Sequence, residues 1–281
     1  MILLDGKNTS MAILKSLQEK IAKNKLHPRL DLIVVGNHPA SLKYVELKQK
    51  KATEIGIVGD LHLLPSETTT DQLITKINEL NNNPEVSAFM VQLPLPKTIN
   101  TPTVLSAISP QKDADGLNPI NLGKVFANDS TAIASATALG IMQLLREYKV
   151  SLSGKNAVII NNSPTIGLPL AALLNNDHAT VTICHEFTDN FVPFLLSADI
   201  IISAVGKPKL ITGGMIKKNA IVIDVGLSPD PITGKLVGDV DFESVSSKCS
   251  FITPVPGGVG PMTVASLLCN TVKIAYAHHS L

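Results

Sequence analysis

Residues 156–169 read NAVIINNSPTIGLP. The first half is an apolar, β-branched run; the second half turns and feeds an Ala/Leu-rich segment. A run that is apolar nearly throughout, rather than alternating, is the pattern of a strand buried on both faces, hence of a parallel sheet. Ser163 suits the cap of the following helix and Pro164 its first position. A helix that starts where a parallel strand ends turns free N–H groups toward an anion such as a pyrophosphate. The GxGxxG fingerprint is not met: Asn161 and Ser163 stand where glycines would be expected, and only Gly167 remains. Asn161 tolerates a left-handed turn. An ordinary strand-to-helix turn fits the same residues, so spacing alone leaves dinucleotide binding open.

The same apolar pattern recurs along the chain. Strands are expected at residues 30–36 (LDLIVVG), 87–94 (SAFMVQLP), 179–185 (ATVTICH), 198–206 (ADIIISAVG), 219–226 (NAIVIDVG) and 251–254. Between them, residues 9–24, 41–55, 70–80 and 137–148 carry apolar side chains at helical spacing. Regular alternation of strand and helix predicts an α/β fold. Residues 116–134 (GLNPINLGKVFANDSTAIA) are rich in Gly, Asn and Pro and show little periodicity. They read as the crossing between two α/β units. A last helix, at residues 264–277, follows the loop PVPGGVGPM and is expected to pack back on the first unit.

With 281 residues, the chain is long enough for one large domain or two modest ones. Hydrophobic residues make up 44% and charged residues 17%, which excludes wholesale disorder. The 24 basic residues nearly balance the 23 acidic ones, and no Lys/Arg block stands out, so a nucleic-acid partner is not expected. Cys184, Cys249 and Cys269 are odd in number and widely spaced, which favours a reducing compartment over a disulfide scaffold. No HxxxH or CxxC pair offers a metal-ligand set. The opening MILLD lacks the basic region of a secretory signal, and no apolar run reaches the ~18 residues of a membrane span. The expectation is a cytoplasmic protein without membrane contact.

Several residues stand where chemistry could sit. His185 ends one expected strand and Glu186 follows it, 25 residues after Asn161. An acid there can accept hydrogen bonds from a ribose diol, or be a solvated surface group. Tyr44 and Lys48 are spaced i, i+4 and share a helix face; Lys43, Lys50 and Lys51 surround Lys48, the pattern of ordinary solvated charge. Gln92 ends a strand, with Pro94 and Pro96 stiffening the loop behind it, at the edge where open α/β sheets bind ligands. Asp113 and Asp115 are either paired carboxylates or turn formers before Gly116.

Taken together, the segments closely resemble the bifunctional methylenetetrahydrofolate dehydrogenase/cyclohydrolase family. The matching stretches are VGNHPASLKYVELKQK (35–50), VQLPLP (91–96), KDADGLNPINLG (112–123), SADIIISAVGKP (197–208), VIDVG (222–226), VGDVDF (237–242) and TPVPGGVGPMT (253–263). The resemblance covers nearly the whole chain, and its last stretch is long and unusual. It implies two α/β domains with a cleft between them for the folate. Residues 1–122 plus 262–281 would form the catalytic folate-binding domain and residues 123–261 a Rossmann-type cofactor domain. It implies oxidation of methylenetetrahydrofolate by hydride transfer to a nicotinamide, then hydrolysis of the methenyl product to 10-formyltetrahydrofolate, without a metal.

In that resemblance Lys48 matches the catalytic lysine that activates water, and Gln92 its hydrogen-bonding partner. Tyr44 matches the tyrosine covering the folate ring, and Asp115 the carboxylate pairing with the pterin. Ser41, Pro254, Gly257 and Gly258 would help line the folate site. The cofactor side would comprise Thr137, Asn161, Asn162, Ser163, Thr165 and Gly167 at one turn. His185 and Glu186 would join at the next strand end, Ala204, Val205 and Gly206 at a third, and Thr263 on the last helix. A homodimer is the family expectation.

The departures from the family pattern cluster at the cofactor. The Gly-Arg-Ser opening is here Asn161-Asn162-Ser163, and the Ser followed by Lys or Arg that the family carries after the strand-ending His is Glu186-Phe187. Both groups expected to hold a 2′-phosphate are gone. Repulsion from Glu186, on the order of 1–4 kcal/mol at a partly solvated site, predicts NAD over NADP by ~10-fold or more. The PCTP motif is altered to Ser135-Ala136-Thr137-Ala138. The expectation is therefore a bifunctional enzyme using NAD or NADP, with NAD preferred. Two other readings remain: a cyclohydrolase with its dehydrogenase weakened or lost, and a non-catalytic folate- or nucleotide-binding protein.

Overall fold

The structure is a computed structural model and describes residues 1–279. It divides into two compact units, Met1–Met11 with Thr137–Thr263 and Ala12–Ala136 with Val264–Leu281. The divisions differ from those expected at 122/123 and 261/262. The N-terminal residues join the later unit because strand Ile2–Leu3 pairs in parallel with Phe251–Ile252. Residues 116–134 belong wholly to the Ala12–Ala136 unit. They contain a helix, Pro119–Phe126, capped by the Asn118 side chain accepting from Ile120 N.

The Ala12–Ala136 unit is built on a three-stranded parallel sheet. Leu30–Val35 lies between Leu61–Leu64 and Ala88–Val91. Leu30–Val35 is apolar on both faces except Asp31, and each face is covered. Leu30, Leu32 and Val34 pack with Val45, Ala52 and Leu268; Ile33 and Val35 pack with Leu73, Ile77 and Phe89. Helix Pro39–Glu54 buries Ser41, Val45, Lys48 and Ala52, a stripe at helical spacing in which a lysine replaces an apolar residue.

The Thr137–Thr263 unit carries a six-stranded, all-parallel sheet in the order Ile2–Leu3, Phe251–Ile252, Ile221–Asp224, Ile200–Ser203, Asn156–Ile160, Thr180–Cys184. The strand order reverses beside Asn156–Ile160, whose neighbours are Ile200–Ser203 and Thr180–Cys184. This is the doubly wound, Rossmann-type arrangement, in which ligands bind beyond the carboxyl ends of the strands at the reversal. Helix Val259–His279 gives its first residues to this unit and the rest to the other. No helix among the described residues is long and apolar enough to cross a membrane.

Candidate active site

Lys48 is 3% exposed, so its surrounding lysines misrepresent it: they face out and it faces in. Its Nζ donates to Gln92 Oε1 at 3.0 Å and to Met90 Sδ at 3.2 Å, and lies 4.7 Å from the centroid of the Tyr44 ring. Met90 and Gln92 are two residues apart on one strand direction, so period 2 turns both toward the helix. Gln92 is itself held: its N donates to Ile33 O at 2.8 Å and its Nε2 to Leu93 O at 2.6 Å, ahead of a cis Leu93–Pro94 bond. That leaves Oε1 as the end presented to the lysine.

Burial pushes the Lys48 pKa down from its usual value, and the Asp115 carboxylate partly opposes this. Asp115 keeps some accessible surface as a residue, yet desolvation of its carboxyl pushes its pKa up, against the pull of the Lys48 charge. The Asp115 carbonyl accepts from Ala136 N at 3.0 Å, fixing the backbone from which the side chain projects. Ser41 is buried on the same helix face, two turns before Lys48.

Asp113 and Asp115 are not a catalytic pair. Asp113 is 1% exposed and accepts from Gly116 N, Asn118 N and Asn121 Nδ2 at 2.8–3.0 Å. It is the turn former, with desolvation pushing its pKa up to about 6.

In the other unit, the residues expected at a cofactor collect at the strand ends. Helix Gly167–Asn176 begins three residues later than the Pro164 start expected, and Ser163 is not its cap. The reason is Asn161. Its Oδ1 accepts from Ser163 N at 2.8 Å, Ser163 Oγ at 2.6 Å and Gly167 N at 3.0 Å, folding residues 163–166 into a turn. Asn161 acts through its side chain and does not adopt the left-handed backbone. Thr165 Oγ1 lies 3.1 Å from Ser163 Oγ, while Asn162 is exposed. Gly167 is required by close approach: a Cβ there would sit 1.9 Å from the Asn161 carbonyl oxygen.

Asn161 Nδ2 donates to Ala204 O at 2.6 Å, joining the two strand ends that flank the reversal. Residues 203–207 are gripped from below by Asp239, which is fully buried. It accepts from Ser203 Oγ, Val205 N and Lys207 N at 2.7–2.9 Å. Asp224 in turn accepts from Asp239 N and Val240 N, both at 2.9 Å, and desolvation pushes its pKa up to about 6. Gly206 follows with φ +70°. His185 Nδ1 accepts from Phe187 N at 3.2 Å, its N donates to Thr188 Oγ1, and Glu186 is exposed. Thr137 and Thr263 meet through their hydroxyls at 3.3 Å. Pro254, Gly257 and Gly258 lie in the loop before the last helix, where Gly257 O accepts from Lys7 N at 3.0 Å.

A helix start behind a close-packed glycine at the sheet reversal, flanked by hydroxyls and backbone donors, fits a dinucleotide. Ser163, Thr165, Gly167 and residues 204–206 would hold it. Among the described residues no group of three or more His, Cys, Asp or Glu could hold a metal ion. Sequence reasoning missed Met90, Asp224 and Asp239. Met90 was legible as the residue two before Gln92. The aspartates lie inside VIDVG and VGDVDF, where Gly226 leaves room for the Asp239 carboxylate and Gly238 for that of Asp224.

Residues 4–115 match the description "Tetrahydrofolate dehydrogenase/cyclohydrolase, catalytic domain", and residues 135–279 match "Tetrahydrofolate dehydrogenase/cyclohydrolase, NAD(P)-binding domain". The bifunctional protein FolD of Methanosphaerula palustris is 47% identical over 274 residues, covering 98% of this chain and 97% of that protein. The crystal structure of the bifunctional methylenetetrahydrofolate dehydrogenase/cyclohydrolase from Campylobacter jejuni superposes with a TM-score of 0.96 at 44% identity, covering 99% of both chains. The corresponding Trypanosoma brucei enzyme, complexed with NADP and an inhibitor, gives 0.95 at 37% identity, covering 100% of this chain and 99% of that one.

Proposed function

The chain belongs to the tetrahydrofolate dehydrogenase/cyclohydrolase family, and on that premise we propose that Lys48 is the base of its hydrolytic step. The protein is a bifunctional, NAD(P)-dependent methylenetetrahydrofolate dehydrogenase/cyclohydrolase. One observation carries the role of Lys48. A neutral amine has two N–H donors and one lone pair, and the two donors have acceptors in Gln92 Oε1 and Met90 Sδ. The lone pair is left for a water. Burial lowers the pKa and so enlarges the neutral fraction.

The methenyl carbon is cationic and open to addition. Lys48 takes a proton from the attacking water as the carbon–oxygen bond forms. The resulting ammonium is held by Gln92 and by the Tyr44 ring face. It returns that proton to the ring nitrogen as the carbon–nitrogen bond breaks; the added hydroxyl gives up its own proton to the regenerated amine, and from there to solvent, as the formyl C=O forms on the other nitrogen. Asp115 orients the pterin by accepting from its donor edge, with Ser41 and Tyr44 as neighbours on the folate. Pro254, Gly257 and Gly258 are proposed to contribute to folate binding from their loop. A bound nicotinamide supplies the hydride acceptor for the oxidation. Thr137, Ser163, Thr165, Gly167, residues 204–206 and Thr263 are proposed to hold it, so that orientation carries that step.

We further propose NAD as the preferred cofactor. Glu186 and the absence of Lys or Arg from HEFTDN, residues 185–190, support this. A homodimer is supported by the exposed Leu227, Ile232 and Leu236 around the antiparallel pair Ser228–Pro229 and Leu236–Val237. A reducing, cytoplasmic setting is supported by three free cysteines.

Paired assays with purified protein test the reading. Methenyltetrahydrofolate hydrolysis and reduction of NAD exceeding that of NADP are expected. Hydrolysis without reduction of either cofactor would leave a cyclohydrolase alone, and neither reaction would leave a binding protein. NADP activity equal to or above NAD activity would remove the role of Glu186.

A further inference from the structure

The Asn161 carboxamide oxygen receives three donors at once, from Ser163 N, Ser163 Oγ and Gly167 N. Two of these are the backbone N–H groups at the turn and first residue of the helix behind the sheet reversal. Such groups bind anions because helix-start N–H groups lack intrahelical partners and carry partial positive charge. Here they already have a partner. It is a neutral amide oxygen supplied by the residue that ends the preceding strand segment, and it is half-buried.

We propose that Asn161 Oδ1 is a resident stand-in for a phosphate oxygen of the dinucleotide, which the cofactor must displace to gain the donors of this loop. This rests on the placement of the cofactor at the reversal. Binding therefore exchanges three existing hydrogen bonds for new ones to the pyrophosphate instead of satisfying open donors. The opposing effect is smaller in number: Asn161 also donates one neutral bond, from Nδ2 to Ala204 O, which steadies the neighbouring loop. Three released donors, made to a charged acceptor, outweigh one neutral bond lost. Asn161 is thus an affinity-setting residue, and its carboxamide holds the cofactor loop closed when no dinucleotide is present.

The test is calorimetric titration of NAD, and separately of NADP, into the full-length protein and its Asn161→Gly and Asn161→Ala variants, with melting temperature read for each. Both variants remove the acceptor; the alanine does so without adding backbone freedom. At least ~5-fold tighter binding is expected in the variant that melts within a few degrees of the unsubstituted protein. An Asn161→Asp variant keeps the acceptor and adds a negative charge, so its binding is expected to weaken by at least ~5-fold. If the folded glycine or alanine variant binds no tighter than the unsubstituted protein, the role of Asn161 is overturned while the cofactor placement stands. If no variant and not the unsubstituted protein binds either dinucleotide, both are overturned.

Discussion

Lys48 Nζ lies 3.2 Å from Met90 Sδ, so the buried amine of one helix rests on a thioether two residues before the glutamine that also holds it. A sulfur is a weak acceptor. It satisfies an N–H without stabilising an ammonium as an oxygen would. The sulfur therefore keeps the amine in place while adding little support to its charged form, which suits a base.

Lys48→Met is expected to lower methenyltetrahydrofolate hydrolysis by ~100-fold or more, the usual span for loss of a general base. Tm should stay the same or rise, because an apolar side chain replaces a buried amine between Val45 and Ala52 on the buried helix face. Folate binding measured by fluorescence quenching should persist. Hydrolysis near the original rate would exclude Lys48 as the base.

The pH profile of hydrolysis follows from the same group. Only the free amine accepts a proton, so the rate rises with pH through the Lys48 pKa, which burial sets below its usual value. The Asp115 carboxylate favours the ammonium and so raises that pKa. Asp115→Asn should move the rising limb to lower pH while weakening folate binding. A limb that stays in place, or moves to higher pH, would separate the two residues electrostatically.

Asp239→Asn replaces a fully buried acceptor of three hydrogen bonds under residues 203–207. Bonds to a charged acceptor contribute ~1.5–3 kcal/mol, so the KM for the nicotinamide cofactor should rise by ~10-fold or more. The hydrolytic kcat, which needs no cofactor, should change little. Equal losses in both reactions would mean that Asp239 supports the fold at large instead of this loop.

Gly167→Ala forces a Cβ to 1.9 Å from the Asn161 carbonyl oxygen, which must move. Overpacking of this kind costs ~1–3 kcal/mol, and a lower Tm with loss of dehydrogenase activity is expected. A variant that melts like the unsubstituted protein would show that the strand end and helix start can part without strain.

What could be read from residue order was set by periodicity. The runs around residues 30, 88, 156, 200 and 221 are apolar because both faces of their strands are covered, and each is a strand; the run around 180 is also a strand, but at the sheet edge and only partly buried. The apolar pattern does not mark Leu61–Leu64, which lies at a sheet edge, half-exposed, with His62 inside it. Only the family resemblance points to Lys48; its spacing with Ser41, Val45 and Ala52 carries the signal of burial, masked by the lysines on either side. Glu186 and Asn162 had visible chemistry, and they stand exposed at the strand ends. The role of Asn161 was hidden because it depends on where an amide oxygen points, which no spacing encodes.

The pairing of Ile2–Leu3 with Phe251–Ile252 has a consequence for biogenesis. Ile2 and Leu3 have no edge to join until residues 251 and 252 have left the ribosome. Both units are therefore stitched from separated stretches of chain, so neither can be finished as a nascent fragment, and a premature stop before residue 251 would strand the first two β-residues without a neighbour.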